Sequence, residues 1–268
     1  MTVERKVACF VILGLMTICM GAELFAPAHY ATQFRDAPNA APSRKFLLGT
    51  DDLGRDRFSR LLYGGRVSLL LAPAAALLST FLAAGIGTVA GYFGGISDRI
   101  LMAIIDLFLS LPWFFLLITV RALLPLDVSP MISVTVTFAL LGLLGWAASA
   151  RVVYAGVRAL RHSDFIVTAR ASGCVPWRTL AVHVLPNLKS TLWAQFLVSI
   201  PAFILAEANL TMLGLGVAEP LPSWGSLLKE LENYDNLFAQ PWRLAPLVLL
   251  MLVVWAFQIV LGHDEVMA

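Results

Sequence analysis

The sequence predicts an all-α polytopic membrane protein, and three observations carry that expectation. First, 59% of the 268 residues are hydrophobic and only 13% charged, where a soluble domain runs about 45–50% apolar and about 25% charged. The mean hydropathy is +0.81. Second, six apolar runs approach or exceed the length of about 20 residues that a helix needs to cross a bilayer. Third, none of them shows the apolar/polar alternation that a membrane strand requires. In hydrocarbon the backbone must satisfy its own polar groups, so such runs read as helices. The composition argues against a water-soluble globule, a disordered chain and a nucleic-acid binder. Nineteen Lys and Arg against seventeen Asp and Glu leave +2, which names no partner.

The runs follow one another in order. Val7–Ala22 is clean until Glu23, and Val67–Phe93 carries no charge. Ile100–Leu124 contains Asp106 and Arg121. Met131–Ala150 is uncharged, Thr191–Val217 contains Glu207 alone, and Leu244–Leu261 is again uncharged. The first run has a second reading. Arg5 and Lys6, an apolar stretch and Ala26-Pro27-Ala28 also fit a cleaved signal peptide; the expectation taken forward is a retained first span. Between the runs, Gly94–Arg99 reads as a tight turn and Ala28–Arg66 as a long segment. Arg151–Leu188 is a long basic segment, and Gly214–Arg243 is Pro-rich with Trp224 and Trp242. The chain divides into residues 1–66, a helix with an external segment, and residues 67–268, a five-helix core.

Local chemistry refines several elements. Leu53, Phe58, Leu61 and Leu62 form an apolar stripe with Arg55, Asp56 and Arg60 around it. Gly64-Gly65 is expected to end that helix, which then lies along the membrane surface. Gly85, Gly87 and Gly91 predict close helix packing. Charges inside spans are costly and face protein or a water-filled path, which singles out Asp106 and Glu207. Glu23 and Arg121 fit positions near an interface where they snorkel. Trp224, between Pro222 and Gly225, fits either a contact with a binding protein or an interfacial anchor. The cysteines at 9, 19 and 174 and the histidines at 29, 162, 183 and 263 show no metal-ligand spacing. There is no phosphate-binding Gly-x-x-x-x-Gly-Lys-Ser/Thr loop.

The segment Ser163–Asn187 is the most distinctive. Ser163 suits an N-cap, and Asp164 sits where the helix dipole favours an acid. Ala169, Arg170 and Ala171 favour helix, Gly173 fits the C′ position, and Pro176 forbids continuation. The spacing predicts a helix of two to three turns. A helix that short is marginal alone in water and persists only if docked.

Here the sequence resembles the EAA loop of bacterial ABC-importer permeases, with Ala169, Gly173, Leu185 and Pro186 at the motif positions. The stretches LGTDDLGRDRFSRLLYG, AGYFGGISDR, HVLPN, AEANLTMLGLGV and PSWGSLL resemble the dipeptide/oligopeptide/nickel permease family, and within it the C-type subunit. The resemblance covers about residues 45–262. Val167 and Thr168 depart from the motif's Glu and first Ala, and the C-terminal stretch is shorter and less basic than is usual there.

The resemblance implies a type I ABC-importer permease fold with six transmembrane helices and a cytoplasmic coupling helix. It implies a subunit without its own ATPase site that forms half of the translocation pathway for di- or oligopeptides in a bacterial inner membrane. Nickel import is the alternative within the family; a secondary transporter or an integral-membrane enzyme is the alternative outside it. Ser163, Asp164, Thr168, Ala169, Arg170, Gly173, Leu185 and Pro186 become the ATPase-coupling residues. Asp106 and Glu207 become structural or path residues. The implied partners are a B-type permease subunit, two ATPase subunits that bind ATP and Mg, and a periplasmic or lipid-anchored substrate-binding protein. Peptide substrate and membrane lipid complete the set, with no nucleic acid and no cofactor bound by this chain. Both termini are then cytoplasmic. Charge alone leaves that side open, because nine Lys and Arg fall on one side of a six-span chain and ten on the other; only the Arg5-Lys6 pair before the first span favours it.

Overall fold

The computed structural model describes residues 3–125, 128–232 and 240–262. His263 and the rest of the C-terminal stretch lie outside the described residues. The described chain is helical, with two isolated β-bridges, Gln33 to Arg55 and Thr50 to Asp56. The longer helices are α1 (Val3–Met20), α2 (Arg57–Phe93), α3 (Gly95–Ser110), α4 (Trp113–Leu123), α5 (Pro130–Leu144), α6 (Ala147–Leu160), α7 (Asp164–Ala171), α8 (Lys189–Met212), α9 (Trp224–Lys229) and α10 (Ala245–Gly262). Among the described residues four helical stretches are long and apolar enough to cross a membrane: Arg57–Phe93, Pro130–Leu160, Lys189–Met212 and Pro241–Gly262. A fifth arises if α3 and α4, bent by 85° across Leu111-Pro112, make one span. Six spans are therefore not reached by this measure. In α1, Glu4, Arg5 and Lys6 occupy the first turn and a half.

The 37-residue α2 is the axis of the bundle and packs along α5, α6 and α8. Its buried face is made of small residues, among them Ala72, Ala75, Ala76, Ser79, Ala83, Gly87 and Gly91. Small side chains let backbones approach closely where lipid supplies no hydrophobic drive. A Cβ on Gly87 would stand 2.6 Å from the Ala150 carbonyl oxygen, and one on Gly91 2.9 Å from Val157 Cβ. Gly142 meets the same helix from the other side, its Cβ position 2.8 Å from the Ala75 oxygen. Gly85, grouped with them in the sequence, faces open space.

Two expectations about α2 are corrected. The helix does not stop at Gly64-Gly65 but runs through both, so the 66/67 division falls inside it. The glycines are there for approach: Gly64 lies under the Ser223 backbone, and a Cβ on Gly65 would stand 3.0 Å from Trp224 Nε1. The surface-helix reading fails for the same reason. Arg55, Asp56, Arg57, Arg60, Leu61 and Leu62 are all buried. The tight turn is confined to Gly94 and Gly95, both at positive φ, and Ile96–Arg99 is already helical.

Candidate coupling and transport elements

The short helix forms where the sequence places it. α7 spans eight residues and docks through Ile166, fully buried with Tyr92, Val157, Leu180 and Val184. Arg170 donates from Nε to the Tyr92 hydroxyl at 3.1 Å and lies over that ring at 4.5 Å. Its C-terminus is a complete Schellman closure. Gly173 has φ +76°, its N–H bonds the Arg170 carbonyl, and the Cys174 N–H bonds the Ala169 carbonyl, both at 3.0 Å. Ser163 holds the N-cap position, but its hydroxyl donates back to the Leu160 carbonyl and does not cap.

The face of α7 turned from the chain exposes Asp164, Phe165, Val167, Thr168 and Ala171. Beside it an open cleft of about 650 Å³ is lined by Phe165, Thr168, Ala169, Gly173, Arg178 and His183, among others. Trp177 and Val182 are also exposed nearby. Leu185 and Pro186 do not line the cleft. They close a π-turn over Leu180–Val184, in which the Leu185 N–H reaches back five residues to Leu180. Pro186 has no N–H to continue an α pattern, and Asn187 Nδ2 donates to the His183 carbonyl at 2.6 Å. From there the chain enters α8.

Toward the other end of α8, about 27 Å from Lys189 at 1.5 Å per residue, Glu207 is fully buried. It accepts from Ser223 Oγ at 2.7 Å and from Thr211 Oγ1 at 2.8 Å, and the Gly225 N–H faces the same carboxylate. Ser223 also caps α9 in a reciprocal capping box with Ser226. Glu207 thus faces protein, as its place in an apolar run predicts, and grips α9 to α8. Trp224 is neither a free contact nor an interfacial anchor. It is fully buried, donating from Nε1 to the Leu61 carbonyl at 3.3 Å. Asp106 is half exposed and pairs with Arg151 at 3.0 Å; it lies on α3, away from Glu207.

Arg121 corrects another expectation. It does not snorkel but is 1% exposed, donating to Ser133 Oγ at 3.0 Å and Thr137 Oγ1 at 3.4 Å. Ser133 in turn donates to the Gly216 carbonyl. Glu23 is exposed and pairs with Arg66 at 2.9 Å.

The ionic cap beside α9 was not legible in the sequence. Asp51 takes Arg55 Nε at 2.6 Å, and Glu219 takes Arg55 Nη1 at 2.6 Å and Arg60 Nη2 at 3.0 Å. Burial works against the Arg55 charge, but Asp51 and Glu219 outweigh it and hold its pKa above the ordinary arginine value. Arg57 pairs with Glu230, whose carboxyl burial pushes above the usual range against the pull of Arg57. This network ties residues 51–60 to the loop that carries α9.

With this geometry in view, the comparisons with known proteins are decisive. Residues 83–262 match the family model for the binding-protein-dependent transport system inner membrane component. The chain belongs to this family. It is therefore a multi-pass inner-membrane permease subunit of an ABC import system, a transport component rather than an enzyme. It is 31% identical to the oligopeptide transport system permease protein OppC of Bacillus subtilis (strain 168), over 89% of this chain and 75% of that one. It is 34% identical to the glutathione transport system permease protein GsiD of Pectobacterium atrosepticum, over 92% and 80%. It is 36% identical to OppC of Mycobacterium tuberculosis (strain CDC 1551 / Oshkosh), over 80% and 72%.

Proposed function

We propose that this permease subunit carries di- or oligopeptides, and that it couples to ATPase subunits through α7. The observation that carries the coupling reading is the docked helix itself. An eight-residue helix closed by a full Schellman motif and pinned by Ile166 exposes Phe165, Val167 and Ala171 beside Asp164 and Thr168, and nothing among the described residues covers that face. A partner groove is the natural cover. The names of the relatives, oligopeptide and glutathione permeases, support the peptide class.

In this reading six spans cross the membrane: the four long helical stretches, the bent α3–α4 pair, and α1 continued by Ala22–Phe25. Over Val3–Phe25, α1 reaches about 35 Å, and it packs against α10 and α2. Both termini and α7 lie on the cytoplasmic side. The ionic cap and α9 lie outside, where a substrate-binding protein docks. A B-type permease supplies the other half of the pathway, and two ATPase subunits bind ATP and Mg. This chain's work is mechanical. Closure of the ATPases moves α7, the π-turn passes the motion to α8, and the Glu207 grip delivers it to α9. Packed elements of this kind switch between discrete arrangements instead of deforming continuously.

The test is purification of the tagged chain from its native membrane in mild detergent, then uptake of labelled di- and tripeptides in proteoliposomes. Two ATPases, a second permease and ATP-dependent peptide uptake are expected. A stable complex that hydrolyses ATP yet takes up no peptide overturns the substrate class.

A further inference from the structure

A cavity of about 240 Å³ opens beside α8, away from α7 and the Glu207 grip. Its walls come from places where helices break. Leu109 and Trp113 flank the 85° bend between α3 and α4. Gly145 and Ala147 flank the interruption between α5 and α6, and Gln195 and Phe203 come from α8. The cavity lies about 9–21 Å along α8 at 1.5 Å per residue, well inside the bilayer depth. Ser149 donates to Gln195 Oε1 at 2.9 Å. The Gln195 amide nitrogen makes no hydrogen bond among the described residues.

Irregular backbone at membrane depth is tolerated only where protein buries it or water lines it. An unmet carboxamide donor has the same requirement. This face therefore does not meet lipid. A carboxamide donor set in a mostly apolar wall favours a path for a polar chain over an apolar contact with a second permease. At 240 Å³ the volume is smaller than the range of about 300–1,000 Å³ typical of a whole ligand site. It suits one residue of a chain, with a facing wall supplied from across the pathway.

We infer that Gln195, oriented by Ser149, is a mid-membrane contact for the backbone amide of a passing peptide. A carboxamide offers N–H donors and, beside the Ser149 bond, a second lone pair on Oε1, so it can match both sides of a peptide group whatever its side chain. The apolar walls of Trp113 and Phe203 accept varied side chains without charge selection. This rests on the peptide reading above.

The test uses the whole complex in proteoliposomes, the chain with its native cysteines serving as blank. Gln195→Cys is expected to react with a small charged thiosulfonate that does not cross membranes, and a transported dipeptide is expected to slow that reaction. Gln195→Leu should lower peptide delivered per ATP hydrolysed roughly fivefold, the effect of one hydrogen bond. Ala202→Phe, at the exposed rim, should lower it independently by filling the space. Wild-type uptake with Gln195→Cys unreactive or unprotected in an assembled complex overturns the contact alone. Absence of wild-type peptide uptake overturns the peptide reading and this inference with it.

Discussion

Gly173→Val isolates the C-terminus of α7 from everything else in the chain. A Cβ at this position would meet no atom within 4 Å, so within the chain the substitution acts through the backbone alone. At φ +76° an L-residue costs about 1–2 kcal/mol, and β-branching places valine at the upper end. Abandoning positive φ breaks both Schellman bonds, to Arg170 and Ala169, each worth about 0.5–1.5 kcal/mol. The balance is a loss near 2 kcal/mol in a helix that is marginal without its dock, or about thirtyfold in the ordered population. Hydrogen exchange at the Gly173 and Cys174 amides should accelerate by that order. ATP hydrolysis stimulated by the binding protein should fall in the reconstituted complex, while membrane insertion stays normal. Gly173→Asn, which tolerates the left-handed region, should recover most of the loss. Valine and asparagine variants with equal, wild-type coupling would refute the reasoning.

Two further outcomes follow from the packing. Glu207→Ala orphans buried donors on Ser223 and Thr211 at about 1–3 kcal/mol each, whereas Glu207→Gln keeps an acceptor; thermal unfolding in detergent should rank wild type, Gln, then Ala, and an Ala variant as stable as Gln would break the argument. Gly87→Leu forces α2 away from Ala150 and Val153 and should cost assembly outright, while Gly85→Leu, in open space, should leave the purified yield of the chain alone unchanged.

What could be read from the sequence was what is local. The apolar runs, the break before α7 and its closure at Gly173 and Pro176 depend on neighbours within a few residues. The Asp106 and Glu207 signals were local too, as charges in apolar runs. What could not be read depends on distant partners. Gly64-Gly65 looks like a helix stop, but its reason is Trp224, some 160 residues on. Arg121 looks ready to snorkel until Ser133 and Thr137, on another helix, take its guanidinium. The charges of residues 51–60 look like the solvated face of a surface helix because Glu219 and Glu230, their counterions, are remote in sequence. The cavity at Gln195 needs two helix breaks brought together, whereas Ile100–Leu124 and Met131–Ala150 each read as a single apolar run.

The central claim is that α7 is the contact through which ATP hydrolysis elsewhere moves this chain. The most direct measurement is a photo-cross-linking residue at Val167, 53% exposed on α7, beside the same residue at Leu53, 48% exposed next to the ionic cap. In membranes holding the assembled transporter, position 167 should cross-link to an ATPase subunit and position 53 should not. A cross-link from 167 to the substrate-binding protein, or none to the ATPase in a complex that hydrolyses ATP, would contradict the account.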